Sequence, residues 1–172
     1  MVSKVFSTII LFLFCSVFYS CNGKSENLSA KIKKVDEMYE KLAVNFDKIK
    51  TINVDELHQN LNSNEYILVD VRKPNEQNIS MLPGAISISS FRINKTKYKK
   101  KIIVFYCTIG YRSGEMIKEF SKDNFDIYNL KGSILSWVLH GYPVFKDNKK
   151  VKEVHVYGRS WNILPKEYKA VW

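Results

Sequence analysis

Residues 101–113 read KIIVFYCTIGYRS, and they predict a buried strand that turns directly into a helix. The run from Lys101 to Tyr106 is apolar and rich in β-branched side chains, as in parallel strands covered on both faces. Cys107 follows at the end of this strand, where open α/β sheets bind their ligands. Gly110 then allows turn conformations that a residue with a Cβ atom resists. Cys107 is therefore either a buried structural thiol or a nucleophile that the turn presents.

Apolar strands alternate with short helices through the middle of the chain. Asn53, three positions before Glu56, forms a capping-box pattern that predicts a helix start. The alternation indicates βα units and an α/β fold with a mostly parallel central sheet flanked by helices. The predicted strands are 66–71, 85–88, 101–106 and 125–130, and the predicted helices are 54–61, 113–122 and 133–140.

Residues 1–20 predict a secretory signal peptide. Lys4 supplies its positive charge, and the apolar stretch is far shorter than the roughly 20 residues of a membrane-spanning helix. Ser20 and Cys21, followed by a polar tether over 21–27, resemble the lipobox of bacterial lipoproteins. This resemblance implies lipidation of Cys21 and an exported lipoprotein of the cell envelope, on the periplasmic or extracytoplasmic face of a membrane. The alternative is an ordinary secreted protein cleaved near Ser20.

The chain has three cysteines. Cys15 lies within the predicted signal peptide and Cys21 is the predicted lipid site, so Cys107 is the one free thiol expected in the exported protein. It can form no internal disulfide, and a lone thiol in an oxidising compartment is a liability unless it is buried or used. Cys107 is thus expected to be either inaccessible or reactive.

Basic residues outnumber acidic ones, for a formal net charge of +10, and the lysines cluster at 31–34, 95–101 and 146–152. Such clusters attract anionic lipid at about 1 kcal/mol per well-placed basic residue, but solvated surface charge is the interpretation that we favour. No helix-turn-helix or aromatic-rich RNA motif accompanies them, which argues against nucleic acid as a partner. Neither a metal nor a cofactor is expected, because no metal-ligand spacing links the histidines, which are His58, His140 and His155.

Two segments flank the α/β region. Residues 28–49 carry apolar side chains at steps of three and four and predict one amphipathic helix, which packs on the domain or spaces it from the membrane. Residues 146–172 form a C-terminal extension that is rich in aromatic residues. We expect this extension to add an edge strand and to cover the core. The alternative is a lid or partner surface close to Cys107.

The loop after Cys107 is also suited to an anion. A tight turn directs backbone N–H groups inward, and a helix that starts near Ser113 adds the positive end of its dipole. Arg112 would add a permanent positive charge at the rim. These features favour a thiolate or a persulfide at Cys107.

Four segments resemble rhodanese-like domains and occur in the same order as in that family. They are CTIGYRS at 107–113, LVDVRKPNE at 68–76, LPGAISI at 82–88 and NLKGSILSWVLHGYPV at 129–144. Together they cover residues 50–145. The resemblance implies a three-layer rhodanese-like fold, with helices on both sides of the sheet, and a thiosulfate- or polysulfide-type sulfurtransferase.

The same resemblance implies a role for each matched site residue. Cys107 would attack the outer sulfur of a small donor, hold it as a persulfide and pass it to a thiophilic acceptor. Arg112 would steer an anionic donor and brace the loop, whereas Asp70 and Arg72 would be structural residues near the site. The loop that holds the transferred sulfur would comprise Thr108, Ile109, Gly110, Tyr111, Arg112 and Ser113.

The loop after Cys107 differs from related loops at two points, and both differences limit the reactions that are expected. Several thiosulfate-using members carry a basic residue where this chain has Thr108, which argues against thiosulfate, an anionic donor, as the preferred substrate. Related phosphatases use Cys-x5-Arg, one residue longer than the spacing from Cys107 to Arg112, so phosphatase activity is not expected. The alternative to a sulfurtransferase is a non-catalytic sulfur-carrying or protein-binding module of the same fold.

Overall fold

The computed structural model describes residues 27–46 and 48–172. The predicted signal peptide, residues 1–20, and the predicted lipid site, Cys21, lie outside the described residues. Within the described part, no helix is both long enough and apolar enough to cross a membrane.

A five-stranded sheet forms the centre of the molecule, with the strand order β1-β5-β4-β2-β3. Every neighbouring pair in it is parallel, which confirms the predicted α/β class with a mostly parallel central sheet. Strand β4 lies in the middle and pairs with β2 and β5 along its length. The strands are β1 (Thr51–Ile52), β2 (Tyr66–Asp70), β3 (Ile86–Ser87), β4 (Ile102–Tyr106) and β5 (Asp126–Leu130).

Helices cover both faces of this sheet and complete the three layers. The first helix, α1, is described from residue 27 to 43. The others are α2 (Val54–Asn60), α3 (Pro74–Gln77), α4 (Ile88–Asn94), α5 (Tyr111–Glu119) and α6 (Ser133–Leu139), with 3-10 turns at Leu61–Ser63, Lys95–Tyr98 and Arg159–Trp161.

Alternate side chains of β4 point to the two faces of the sheet and enter two separate apolar clusters, as the pleat of a strand requires. Val104 and Tyr106 join the cluster that includes side chains from α1, α2 and α6. Ile103 and Phe105 join the cluster on the α4 and α5 side. Cys107 continues this second set, so its side chain belongs to the α5 side of the sheet.

The predicted single helix over 28–49 is wrong at its C-terminal end. Helix α1 ends at residue 43, and the chain turns through 44–46. Val35 and Tyr39 of α1 pack into the first cluster, whereas Ile49 packs against the second. A straight helix cannot reach both faces of one sheet, so the apolar stripe is divided by a turn.

Local caps set the starts of two helices, and some boundaries of helices and strands differ from the predicted ones. Asn53 caps α2 as predicted, because its side chain accepts a hydrogen bond from the N–H of Glu56. The side chain of Ser87 likewise accepts a hydrogen bond from the N–H of Ser90. Helix α4 therefore begins at Ile88, the residue predicted to end a strand. Helix α5 begins at Tyr111, two residues before the predicted start.

The C-terminal extension covers the core without joining the central sheet. It begins at the last residue of β6 (Val144–Lys146), which forms a hairpin with β7 (Lys149–Val151), and continues with a parallel pair of β8 (Glu153–His155) and β9 (Lys169–Val171). The predicted cover is confirmed, but the predicted extra edge strand is wrong because these strands pair with each other. Its buried side chains in the first cluster are Val154, Val156, Ile163, Leu164 and Tyr168.

Helix α4 provides a test of the packing on the α5 side. Phe91 is fully buried and its ring packs edge-on against Phe105 and Phe120, whereas Ile93 on the same helix is 83% exposed. We expect Phe91→Ala to lower the free energy of unfolding in urea by about 3–5 kcal/mol. Ile93→Ala should change it by no more than about 0.5 kcal/mol. Equal losses for the two variants would contradict this placement of α4.

Candidate active site

The Cys107 thiol is enclosed at the end of the central strand, with no exposed surface. The backbone N–H of Gly110 donates a hydrogen bond to its Sγ over 3.1 Å. The N–H of Cys107 itself donates to Oγ of Ser133 over 3.1 Å. The sulfur therefore faces the loop that follows it, and the backbone behind it is tied to the start of α6.

The loop is held between the first turns of α5 and α6. Two N–H groups at the start of α6 donate to loop carbonyls, Ile134 to Cys107 over 3.3 Å and Leu135 to Thr108 over 3.2 Å. Gly110 adopts a φ of +115°, which favours glycine and lets the chain turn from the loop into α5. These contacts pair the polar backbone of a buried turn.

A side-chain pair beneath the loop was missed at the sequence level. Ser113 Oγ lies 3.7 Å from Sγ of Cys107 and donates to Oδ1 of Asn129 over 2.7 Å. The amide nitrogen of Asn129 in turn donates to the carbonyl of Gly110 over 2.8 Å. Asn129 lies within the NLKGS segment of the resemblance, which marked its neighbourhood but not its contact with the loop.

Arg112 contacts a side chain of the loop, but its charge is paired. Its guanidinium donates to both carboxylate oxygens of Glu76, over 2.6 and 2.8 Å, and to Oγ1 of Thr108 over 3.0 Å. Burial acts to raise the pKa of Glu76, but hydrogen bonds from Arg112 and from the N–H of Lys73 outweigh it and lower that pKa to about 2. The rim of the loop therefore carries an ion pair where the sequence suggested a free cation.

The remaining loop side chains have different surroundings. Ile109 is 2% exposed and packs in the first apolar cluster. Tyr111 is 43% exposed, and its ring centroid lies 5.7 Å from that of Phe46. The polar contacts to the sulfur come from the Gly110 N–H and the Ser113 hydroxyl, not from these two side chains.

Asp70 and Arg72 form a buried pair that connects the end of β2 to the loop at 80–82. Nη2 of Arg72 lies 2.6 Å from Oδ2 of Asp70 and donates to the carbonyl of Ser80. The Tyr106 hydroxyl donates to the same carboxylate oxygen over 2.7 Å and accepts from the N–H of Leu82. Among the residues that the structure describes, no hydrogen bond links this network to the thiol, and the supporting role of Asp70 and Arg72 stays a prediction.

The C-terminal extension reaches the rim of the loop. Nδ1 of His155 lies 3.5 Å from Oε1 of Glu76, and the Tyr157 ring lies 5.8 Å from Cζ of Arg112. Burial is the main cause that lowers the pKa of His155, which favours its neutral form. Sequence reasoning placed His155 in a separate element, and no local signal indicated that β8 passes beside α3.

Comparison with known proteins agrees with this architecture. The family model for the rhodanese-like domain matches residues 53–140. A thiosulfate:glutathione sulfurtransferase of Saccharomyces cerevisiae is 32% identical, over 44% of this chain and 66% of that protein. A sulfurtransferase of Allochromatium vinosum is 28% identical, over 56% of this chain and 94% of that protein.

A solved structure shows the same fold. The thiosulfate sulfurtransferase of Pseudomonas aeruginosa superposes with a TM-score of 0.54 at 16% identity, over 67% of this chain and 23% of that one. At this identity the likeness concerns the fold alone. The matched family segment, residues 53–140, contains the whole loop from Cys107 to Ser113.

The Glu76 carboxylate makes stability depend on pH. A carboxylate whose pKa is lower in the folded chain stabilises the fold above its unfolded pKa, and this stabilisation is lost as the pH falls towards the folded value. Between about pH 4.5 and about pH 2, the unfolding free energy should therefore fall more steeply in the wild type than in Glu76→Gln.

Urea denaturation across that pH range measures the difference. Glu119→Gln serves as the matched control, because Glu119 pairs with Arg92 at the surface, where both side chains are about half exposed. Its pH profile should follow the wild type. Parallel profiles for the wild type and Glu76→Gln would show that the Glu76–Arg112 pair does not contribute to stability.

Proposed function

The chain belongs to the rhodanese-like domain family, and we propose that it is a sulfurtransferase that carries sulfane sulfur as a persulfide on Cys107. The observation that carries this proposal is the position of Sγ, which ends the central strand and receives a hydrogen bond from the N–H of Gly110. The sulfurtransferases of S. cerevisiae and A. vinosum, to which the chain is similar, support the reaction class.

The reaction has two half-reactions that balance without an outside oxidant. The Cys107 thiolate attacks the outer sulfur of a donor, the donor's bond to that sulfur breaks, and the leaving group keeps the electron pair. An acceptor thiolate then attacks the outer sulfur of the persulfide, and Cys107 leaves as the thiolate. In both steps the N–H of Gly110 is placed to stabilise negative charge on Sγ.

The charges at the site favour a polysulfide or a persulfide as the donor. Thiosulfate releases sulfite, a dianion, and a free cation close to the thiol would stabilise it. Arg112 is paired with Glu76 and Arg72 with Asp70, so both guanidinium groups near the loop are already neutralised. A persulfide donor releases a thiolate, which carries a single negative charge and therefore needs less stabilisation by a cation than sulfite does.

One observation favours the alternative, a sulfur-carrying or protein-binding module without turnover. Cys107 has no exposed surface, and Thr108 and Ile109 are 3% and 2% exposed. A donor therefore reaches the thiol only if the cover moves. Turnover with a small donor distinguishes the two functions.

The direct test of the enzyme is the mass of the intact protein. After incubation with polysulfide, the wild type should gain one sulfur atom, and cyanide should remove it. Thiosulfate should load the protein more slowly than polysulfide at equal concentration. Cys107→Ser should gain no sulfur from either donor. A wild type that gains no sulfur from any donor would leave only a protein-binding module, because a sulfur-carrying module would also be loaded.

We also propose that the protein is exported and anchored by lipid at Cys21, on the strength of the lipobox-like sequence that ends in Ser20 and Cys21. Radiolabelled fatty acid should be incorporated by the wild type in bacterial cells and lost in Cys21→Ser. Cys107→Ser is the matched control and should retain the label. Label that persists in Cys21→Ser would refute the anchor.

A further inference from the structure

Helix α1 lies outside the matched family segment, yet its side chains contact the turns that hold Cys107. Three glycines at or next to these turns are each approached by an apolar side chain from α1 or from the turn that follows it. The contacts are Tyr39 on Gly110, Val35 on Gly132 and Phe46 on Gly114.

The Tyr39 contact is made to the residue that binds the sulfur. A Cβ atom at Gly110 would lie 2.6 Å from Cε2 of Tyr39, so the ring rests directly on the Gly110 backbone. That backbone donates its N–H to Sγ of Cys107, and its carbonyl accepts from Asn129. Any shift of Gly110 therefore changes the hydrogen bond to the thiol.

The other two contacts extend the same packing across both helix starts. Cγ1 of Val35 would lie 3.0 Å from a Cβ atom at Gly132, the residue just before Ser133, which accepts from the N–H of Cys107. The Phe46 ring would lie 2.8 Å from a Cβ atom at Gly114 in the first turn of α5. Helix α1 thus packs on both turns that enclose the thiol.

The Tyr39 hydroxyl does not explain why a tyrosine is present. Tyr39 is 3% exposed, and its hydroxyl makes no hydrogen bond of normal geometry among the described residues, but it lies close enough to the side chain of Asn129 to affect the Tyr39 pKa. Burial is the main cause that raises its pKa to about 12, so the hydroxyl is neutral near pH 7. The ring is the part of this side chain that contacts Gly110.

We propose that Tyr39 is a positioning residue of the site, whose ring holds Gly110 so that its N–H points at Sγ of Cys107. The family segment alone therefore does not contain the whole site, because α1 supplies one of its supports. The catalytic consequence rests on the proposed sulfur transfer, whereas the structural consequence for Gly110 can be measured without any sulfur donor.

Three substitutions in the purified protein test this proposal. Tyr39→Leu removes the ring, Tyr39→Phe keeps it, and Tyr168→Leu makes the matched change at another buried tyrosine of the same apolar cluster. The first readout is amide hydrogen exchange by NMR, expressed as the ratio of the exchange rate of Gly110 to that of Val104 in β4. The second readout is kcat and KM for loading by polysulfide.

We expect the Gly110 to Val104 exchange ratio to rise about tenfold in Tyr39→Leu and to stay at the wild-type value in the other two variants. The kcat for loading should fall about tenfold or more in Tyr39→Leu with little change in KM, because a small misplacement near the reacting atom lowers the rate of chemistry. Tyr39→Phe should be loaded by polysulfide with the wild-type kcat and KM.

Other results would overturn the proposal. An unchanged exchange ratio in Tyr39→Leu would do so, as would equal effects of Tyr39→Phe and Tyr39→Leu, which would assign the role to the hydroxyl. A rise of the ratio in Tyr168→Leu would show a general loss of stability instead. If the wild type takes up no sulfur but the ratio still rises only in Tyr39→Leu, the proposed function fails and the positioning role stands.

Discussion

The structure depends on the enclosure of one thiol at the end of the central strand. A buried turn must pair its polar backbone groups internally, because water does not reach them. Here the starts of two helices provide the partners. Ser133, Ile134 and Leu135 of α6 bind the backbone at 107–108, and the N–H of Gly114 in α5 donates to the carbonyl of Gly110. The N–H of Gly110 is thereby left to bind the sulfur. Strand β4, α5 and α6 are all placed by this arrangement.

Charge around the thiol is balanced in two separate pairs. Arg72 is neutralised by Asp70 in the interior, and Arg112 is neutralised by Glu76 at the rim. A buried arginine without a carboxylate partner would be costly. Each pair also binds the backbone, because Arg72 donates to the carbonyl of Ser80 and Glu76 accepts from the N–H of Lys73. The hydrogen-bond donor nearest to the sulfur is the backbone N–H group of Gly110.

The segments on either side of the family domain contribute to the same site. Helix α1 packs Tyr39 on Gly110, and the C-terminal extension brings His155 and Tyr157 to the rim beside Arg112. A hydrogen bond from Lys31 to the carbonyl of Leu164 connects the two segments directly. Together they contact the loop at the carboxyl end of the central strand, β4.

Local patterns in the sequence were sufficient for the sheet class, the cap at Asn53, the glycine turn at Gly110 and the position of Cys107. Periodicity and capping depend on neighbours within a few residues, which is why these features could be predicted. The division of the 28–49 stripe, the Glu76 partner of Arg112, 36 residues away, and the contact of Tyr39 with Gly110 were decided only by the tertiary structure. Each depends on which distant segment packs against the turn, and the free energy of that packing comes from surfaces that no short stretch of sequence contains.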